Sequence, residues 1–131
     1  MKRDLDLIRN ILIQAKNFVP KPAADDWSTN YGDSQLCTNK LKTLTSNEEL
    51  IIFNLKLMQE GKLIKIFGSP SIYLDSTHIE ITPQGIDFLD VIYDKDIWES
   101  AKKIIDELGG SLPFSIVQSI CEKLIRQKLG V

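Results

Sequence analysis

At a single glycine, Gly61, the spacing of apolar residues along this chain changes from about 3.6 residues to 2, a helix period giving way to a strand period. No other feature restricts the fold as much. Before the switch, residues 46–60 read as a helix. Ser46 is the expected N-cap, with Glu49 completing a capping box. Leu50, Phe53, Leu57 and Met58 form the expected buried stripe, with Ile51 or Ile52 beside it. Gly61 is expected to take the left-handed position that ends the helix. After the switch, "KLIKIF" alternates, setting Ile64 and Ile66 on one face and Lys65 and Phe67 on the other.

A turn signal, "GSPS", follows at residues 68–71. A returning strand or pair of strands is expected over Ile72–Leu74 and His78–Ile81. Thr82 then caps a helix with Pro83 at its first position, where the missing N–H costs nothing, and Ile86, Leu89 and Val91 or Ile92 pack inward.

The flanks are helical. Asp4 to Asn17 carries an apolar stripe of Leu5, Ile8, Leu12 and Ala15, widened by Leu7 and Ile11, and Pro20 and Pro22 end it. Residues 18–45 have no periodicity. Trp27 and Tyr31 are expected to dock on the core there, with a short helix between Asp33 and Leu41. Asp94 or Asp96 restarts a helix through Trp98, Ala101, Ile105 and Leu108, which Gly109-Gly110 stops. A last helix follows Ser111 and Pro113, with Val117, Ile120, Cys121 and Leu124 inward and Lys128 contributing its stem. The expected fold is α+β, mainly helical, in a single domain of residues 1–131. Residues 1–93 form a winged helix-turn-helix core, with the hairpin as wing and the 46–60 helix in the recognition position, and residues 94–131 a helical extension.

The chain resembles an uncharacterised, largely phage- and prophage-borne bacterial family, numbered twenty-five-thirteen among domains of unknown function. The residues that carry the resemblance are "MKRDLDLIRNIL", "LKLMQEGKLI", "ITPQGIDFLDVIYDKDIW" and "GGSLPF". The chain departs from the family at Asn54, where a histidine is usual, and at Pro83-Gln84, where an aromatic-Glu pair is usual. Its link at residues 18–45 is also longer. The resemblance implies a winged-helix fold and a mobile-element context, and no established activity or cofactor.

Composition narrows the function classes. A net charge of −2 gives no overall attraction to phosphate, so nucleic-acid binding requires a local basic face. Two cysteines far apart, Cys37 and Cys121, argue against a disulfide framework or zinc site. The apolar runs are too short to span a bilayer, and a cytoplasmic protein is expected. One histidine, His78, leaves nucleophiles without a base, and Asp87 and Asp90 read as a solvated helix face. Neither catalytic, cofactor nor metal residues are expected, and the protein is taken as non-enzymatic.

Two partner classes remain. For double-stranded DNA, the expected contacts are Asn54, Lys56 and Gln59 on the helix with Lys62 and Lys65 on the wing. Against this, Glu48, Glu49 and Glu60 outnumber Lys56 on that helix. The alternative is a protein-binding adaptor without DNA binding, or a homodimer, through the apolar arc of Ile116, Val117, Ile120, Leu124 and Ile125 in the last helix.

Overall fold

The computed structural model of the protein describes residues 2–18, 35–68 and 72–130. The elements run α1 (Leu5–Asn17), β1 (Leu36–Cys37), a 3-10 helix (Thr38–Thr43), α2 (Glu48–Glu60), β2 (Ile64–Phe67), β3 (His78–Ile81), α3 (Pro83–Ile92), α4 (Lys95–Glu107) and α5 (Phe114–Leu129). The fold is α+β and mostly helical, with one antiparallel sheet in the order β1-β3-β2. The chain divides into two compact units, Met1–Ile86 and Asp87–Val131, the division falling inside α3.

In the first unit, α1 starts where the Asp4 carboxylate accepts the Leu7 N–H at 3.0 Å. Its buried face is Leu7, Ile8, Ile11 and Leu12, so the arc lies between the residues expected at its margins, Leu5 and Ala15, which are half-buried. The helix packs on α2 and β3.

The α2 helix differs from expectation at both ends and around its axis. Asn47, one residue after Ser46, is the cap, its side-chain oxygen accepting the Leu50 N–H at 3.1 Å. Gly61 has a right-handed φ of −77°, and the left-handed position falls on Lys62 at φ 63°. The buried face is Ile51, Asn54, Leu55 and Met58, while Leu50, Phe53 and Leu57 are half-buried. The helix is therefore turned by about one residue, roughly 100°, from the expected stripe. Asn54 makes that turn possible. Its oxygen accepts the Asp4 N–H and its nitrogen donates to the Leu50 carbonyl, both at 2.9 Å. A buried amide with partners for both polar atoms is cheap to bury, so the apolar neighbours decide the orientation.

The hairpin forms as the alternation requires. Its register pairs Ile64 with Ile81, Lys65 with Glu80, Ile66 with Ile79 and Phe67 with His78. Ile64 and Ile79 are buried, and Ile66 and Ile81 half-buried. Residues 72–74 are not strand. Tyr73 instead starts a turn in which its carbonyl accepts the Ser76 and Thr77 N–H groups.

In place of the short helix expected between Asp33 and Leu41, β1 pairs Leu36 with Ile79 and Cys37 with His78, and the 3-10 helix follows. Buried Thr38 fastens this segment by donating its hydroxyl to the Leu74 carbonyl at 2.7 Å. Trp27, Tyr31 and residues 69–71 of the turn signal lie outside the described residues.

In the second unit, Phe88, Leu89 and Ile92 are the buried residues of α3. Ile86, at the end of the first unit, is exposed rather than inward. Phe88 meets Phe114 edge to face, with ring centres 5.5 Å apart. Asp94 caps α4 by accepting the Ile97 N–H at 3.0 Å. Gly109 and Gly110, at φ 102° and 81°, end that helix as expected. The helices α4 and α5 pack together, and α5 buries Val117 and Cys121, leaving Ile120, Leu124 and Ile125 half-buried and Ile116 exposed. No described helix is long and apolar enough to cross a membrane.

Candidate nucleic-acid interface

Of the residues expected to face DNA, Asn54 is withdrawn by the structure. It is 0% exposed and both ends of its amide are occupied, so it has no outward face to present. Lys56, Gln59, Lys62 and Lys65 are all exposed. Three of these four converge. Gln59, Lys62 and Lys65 line one open groove of ≈ 700 Å³, together with Ile64, Ile66, Phe67, Thr82, Pro83 and Gln84. Lys56 is not among the lining residues.

The groove lies wholly within the first unit, and local chemistry builds it. The last turn of α2 supplies Gln59. The left-handed Lys62 then turns the chain sharply into β2, which among the described residues is an edge strand, paired on one side. Thr82 fixes the opposite wall. Its N–H donates to the Leu63 carbonyl at 3.0 Å and its hydroxyl donates to the Lys62 carbonyl at 2.6 Å. The same hydroxyl accepts the Gly85 N–H at 2.9 Å, which makes Thr82 the cap expected from the sequence. Gly85 allows the close approach: a Cβ there would lie 2.1 Å from the Leu63 carbonyl oxygen.

Charge is unevenly distributed over this surface. None of the residues lining the groove is acidic. Lys56, Lys62 and Lys65 make no ion pair among the described residues, although Glu80 is the cross-strand neighbour of Lys65. The other end of α2 is acidic, with Glu48 and Glu49 in its first turn. Glu48 lies 3.3 Å from Lys42, whose ammonium also meets Asp75 at 2.9 Å. The hydrogen bonds to Asp75 and then to Glu48 raise the Lys42 pKa above its ordinary value. That cation is committed to carboxylates, whereas Lys56, Lys62 and Lys65 lie towards the β2 end of the helix, which also carries the exposed Glu60.

His78 is half-buried on β3, and Asp87 and Asp90 are exposed on α3. Burial, followed by the charge of Glu122, pushes the Cys121 thiol up to about 11, so it holds its proton at neutral pH. Among the described residues no group of three or more His, Cys, Asp and Glu side chains is placed to hold a metal ion.

Sequence reasoning located the lysines and Gln59 but missed the groove they share. The alternation in "KLIKIF" separates Ile64 and Ile66 from Lys65 and Phe67 by face, and does not show that all four line one groove along the strand. The signal that was available is the short distance from "EGKLIKIF" to the capping Thr82-Pro83, whose helix start has to close on the strand. A family model described as hypothetical protein (DUF2513) matches residues 2–111. No curated protein and no solved structure matches the chain.

Proposed function

For a chain that belongs to the uncharacterised family described as hypothetical protein (DUF2513), we propose a non-enzymatic winged-helix protein that associates with DNA, as a regulatory or accessory protein of a prophage or similar bacterial element. The observation that carries the DNA reading is the convergence of Gln59, Lys62 and Lys65 on one groove free of carboxylates beside an edge strand. The winged-helix reading is supported by the order helix, strand, 3-10 helix, helix and hairpin with the sheet ordered β1-β3-β2. In it the 3-10 helix and α2 stand as the helix-turn-helix pair and β2–β3 as the wing. The prophage context rests on the sequence resemblance.

In this reading Lys56, Lys62 and Lys65 neutralise phosphates, and affinity follows counterion release. With Asn54 buried, Gln59 is the one of the two amides expected on the helix that can reach a base edge, so contacts that position outweigh contacts that specify. A mixed-sequence duplex is expected to bind at low salt and to release as salt rises. Lys62→Ala with Lys65→Ala then weakens binding on every sequence alike. No binding at low salt would remove the DNA reading. The second reading, a protein-binding adaptor or homodimer through α5, is favoured by Ile116, which is 44% exposed beside the half-buried Ile120. Sedimentation showing a dimer that Ile116→Asp dissociates would support it.

A further inference from the structure

We propose that the groove beside β2 holds a short stretch of single-stranded DNA, with one base stacked on Phe67 and its flanking phosphates at Lys62 and Lys65. The proposal rests on the DNA reading for its two lysines, and it adds the strandedness of the ligand and a stacking residue. Duplex phosphates need only cations on an open surface. This groove offers more: apolar surface from the half-buried Ile66 and the exposed Pro83, an aromatic ring that is 37% exposed, and two amide side chains, Gln59 and Gln84, the second donating its nitrogen to the Gly61 carbonyl at 3.4 Å.

That combination matches an unpaired nucleotide part by part. A base has an apolar face, for Phe67, and a polar edge, for the amides. Its backbone carries the negative charge that Lys62 and Lys65 complement, with no carboxylate lining the groove. Sites for single strands are built in this way, from a cationic groove with an aromatic platform. Inside a duplex the base faces are stacked and cannot reach Phe67. The volume of ≈ 700 Å³ lies in the range of about 300–1,000 Å³ typical of pockets that enclose small organic ligands.

Fluorescence anisotropy at low salt tests this with three labelled probes: an oligothymidylate of about eight nucleotides, a mixed-sequence duplex of matched length, and a polyglutamate peptide of similar charge. The oligothymidylate is expected to bind more tightly than the duplex by about 5- to 150-fold, the worth of one stacked base. Phe67→Ala is expected to abolish that advantage while leaving duplex binding unchanged, and Phe67→Trp to preserve it. Lys62→Ala with Lys65→Ala weakens both. Equal or tighter duplex binding, or a Phe67→Ala variant with undiminished single-strand affinity, overturns the inference and leaves the DNA reading standing. Polyglutamate binding as tight as the oligothymidylate also overturns it, in favour of an acidic peptide. Binding of the single strand through Phe67 without any duplex binding supports the inference and overturns the duplex reading. Failure of both nucleic acids to bind removes both.

Discussion

Replacing Asn54 with alanine distinguishes a buried structural amide from a base reader. Asn54→Ala leaves the Asp4 N–H without the acceptor it holds at 2.9 Å, costing about 1–3 kcal/mol. Removing the amide group from a fully buried site also leaves a small void, at about 1 kcal/mol. The Leu50 carbonyl keeps its place in the helix ladder and loses only a second donor. Alanine is the better helix former, which returns up to about 0.7 kcal/mol. The net loss is about 1–3 kcal/mol, a fall in melting temperature of about 3–6 °C per kcal/mol for a chain of this size. Asn54→Asp adds a check of sign. Its carboxylate still accepts the Asp4 N–H but faces the Leu50 carbonyl, and burial raises its pKa. The deficit of that variant is therefore greatest above the raised folded pKa and shrinks as pH falls through it. Thermal denaturation followed by circular dichroism at neutral and mildly acidic pH measures both. Changes within about 0.5 kcal/mol for both variants, the range of surface substitutions, would refute the buried placement.

Gly85→Ala places a methyl group 2.1 Å from the Leu63 carbonyl oxygen and 2.9 Å from the Ile81 side chain, so the first turn of α3 must move off the Leu63 backbone. A loss of at least about 2 kcal/mol in urea denaturation is expected, and a neutral result would contradict the close approach. Lys62→Gly relieves a left-handed side-chain position and is expected to stabilise by about 0.5–1 kcal/mol, while losing one DNA cation. The Ile97 N–H, followed by the charge of Lys128, holds the Asp94 carboxyl below its ordinary pKa. Its stabilising effect is complete above the ordinary carboxylate range and lost as pH falls through the lowered value. Asp94→Ala should consequently flatten the acid limb of the stability profile of the second unit, and an unchanged limb would count against the cap. With its proton held by burial, Cys121 is expected to resist alkylation in the native protein at neutral pH and to react on unfolding. Native-state labelling at the rate of a free thiol would contradict that burial.

Legibility followed the strength of local signals. The hairpin could be read because alternation over "KLIKIF" and "HIEI" is a period-2 pattern with one consistent buried face, and its register follows from that face. Thr82-Pro83 and Gly109-Gly110 could be read because capping and left-handed turns depend on a few residues in fixed order. The rotation of α2 could not. Its sequence is apolar on several sides, so whether Asn54 or Leu50 faces the core depends on a partner fifty positions away, the backbone of Asp4. The two-residue β1 is too short to show a period, and it exists because β3 has a free edge for Leu36 and Cys37. The candidate site was legible as residues and not as a surface. Gln59, Lys62 and Lys65 are polar positions that sequence can mark, but the groove they share depends on Thr82 and Pro83 being held beside Lys62 and Leu63, contacts about twenty positions apart.

The most direct measurement is the salt dependence of duplex DNA affinity for the native protein and for Lys62→Ala with Lys65→Ala. Each phosphate neutralised contributes about −0.9 to the slope of log K against log salt. Contacts from Lys56, Lys62 and Lys65 predict a native slope near −2.7 that the double variant reduces to about −0.9. A native slope near zero, or one that the double variant leaves unchanged, would contradict phosphate contact at the β2 groove.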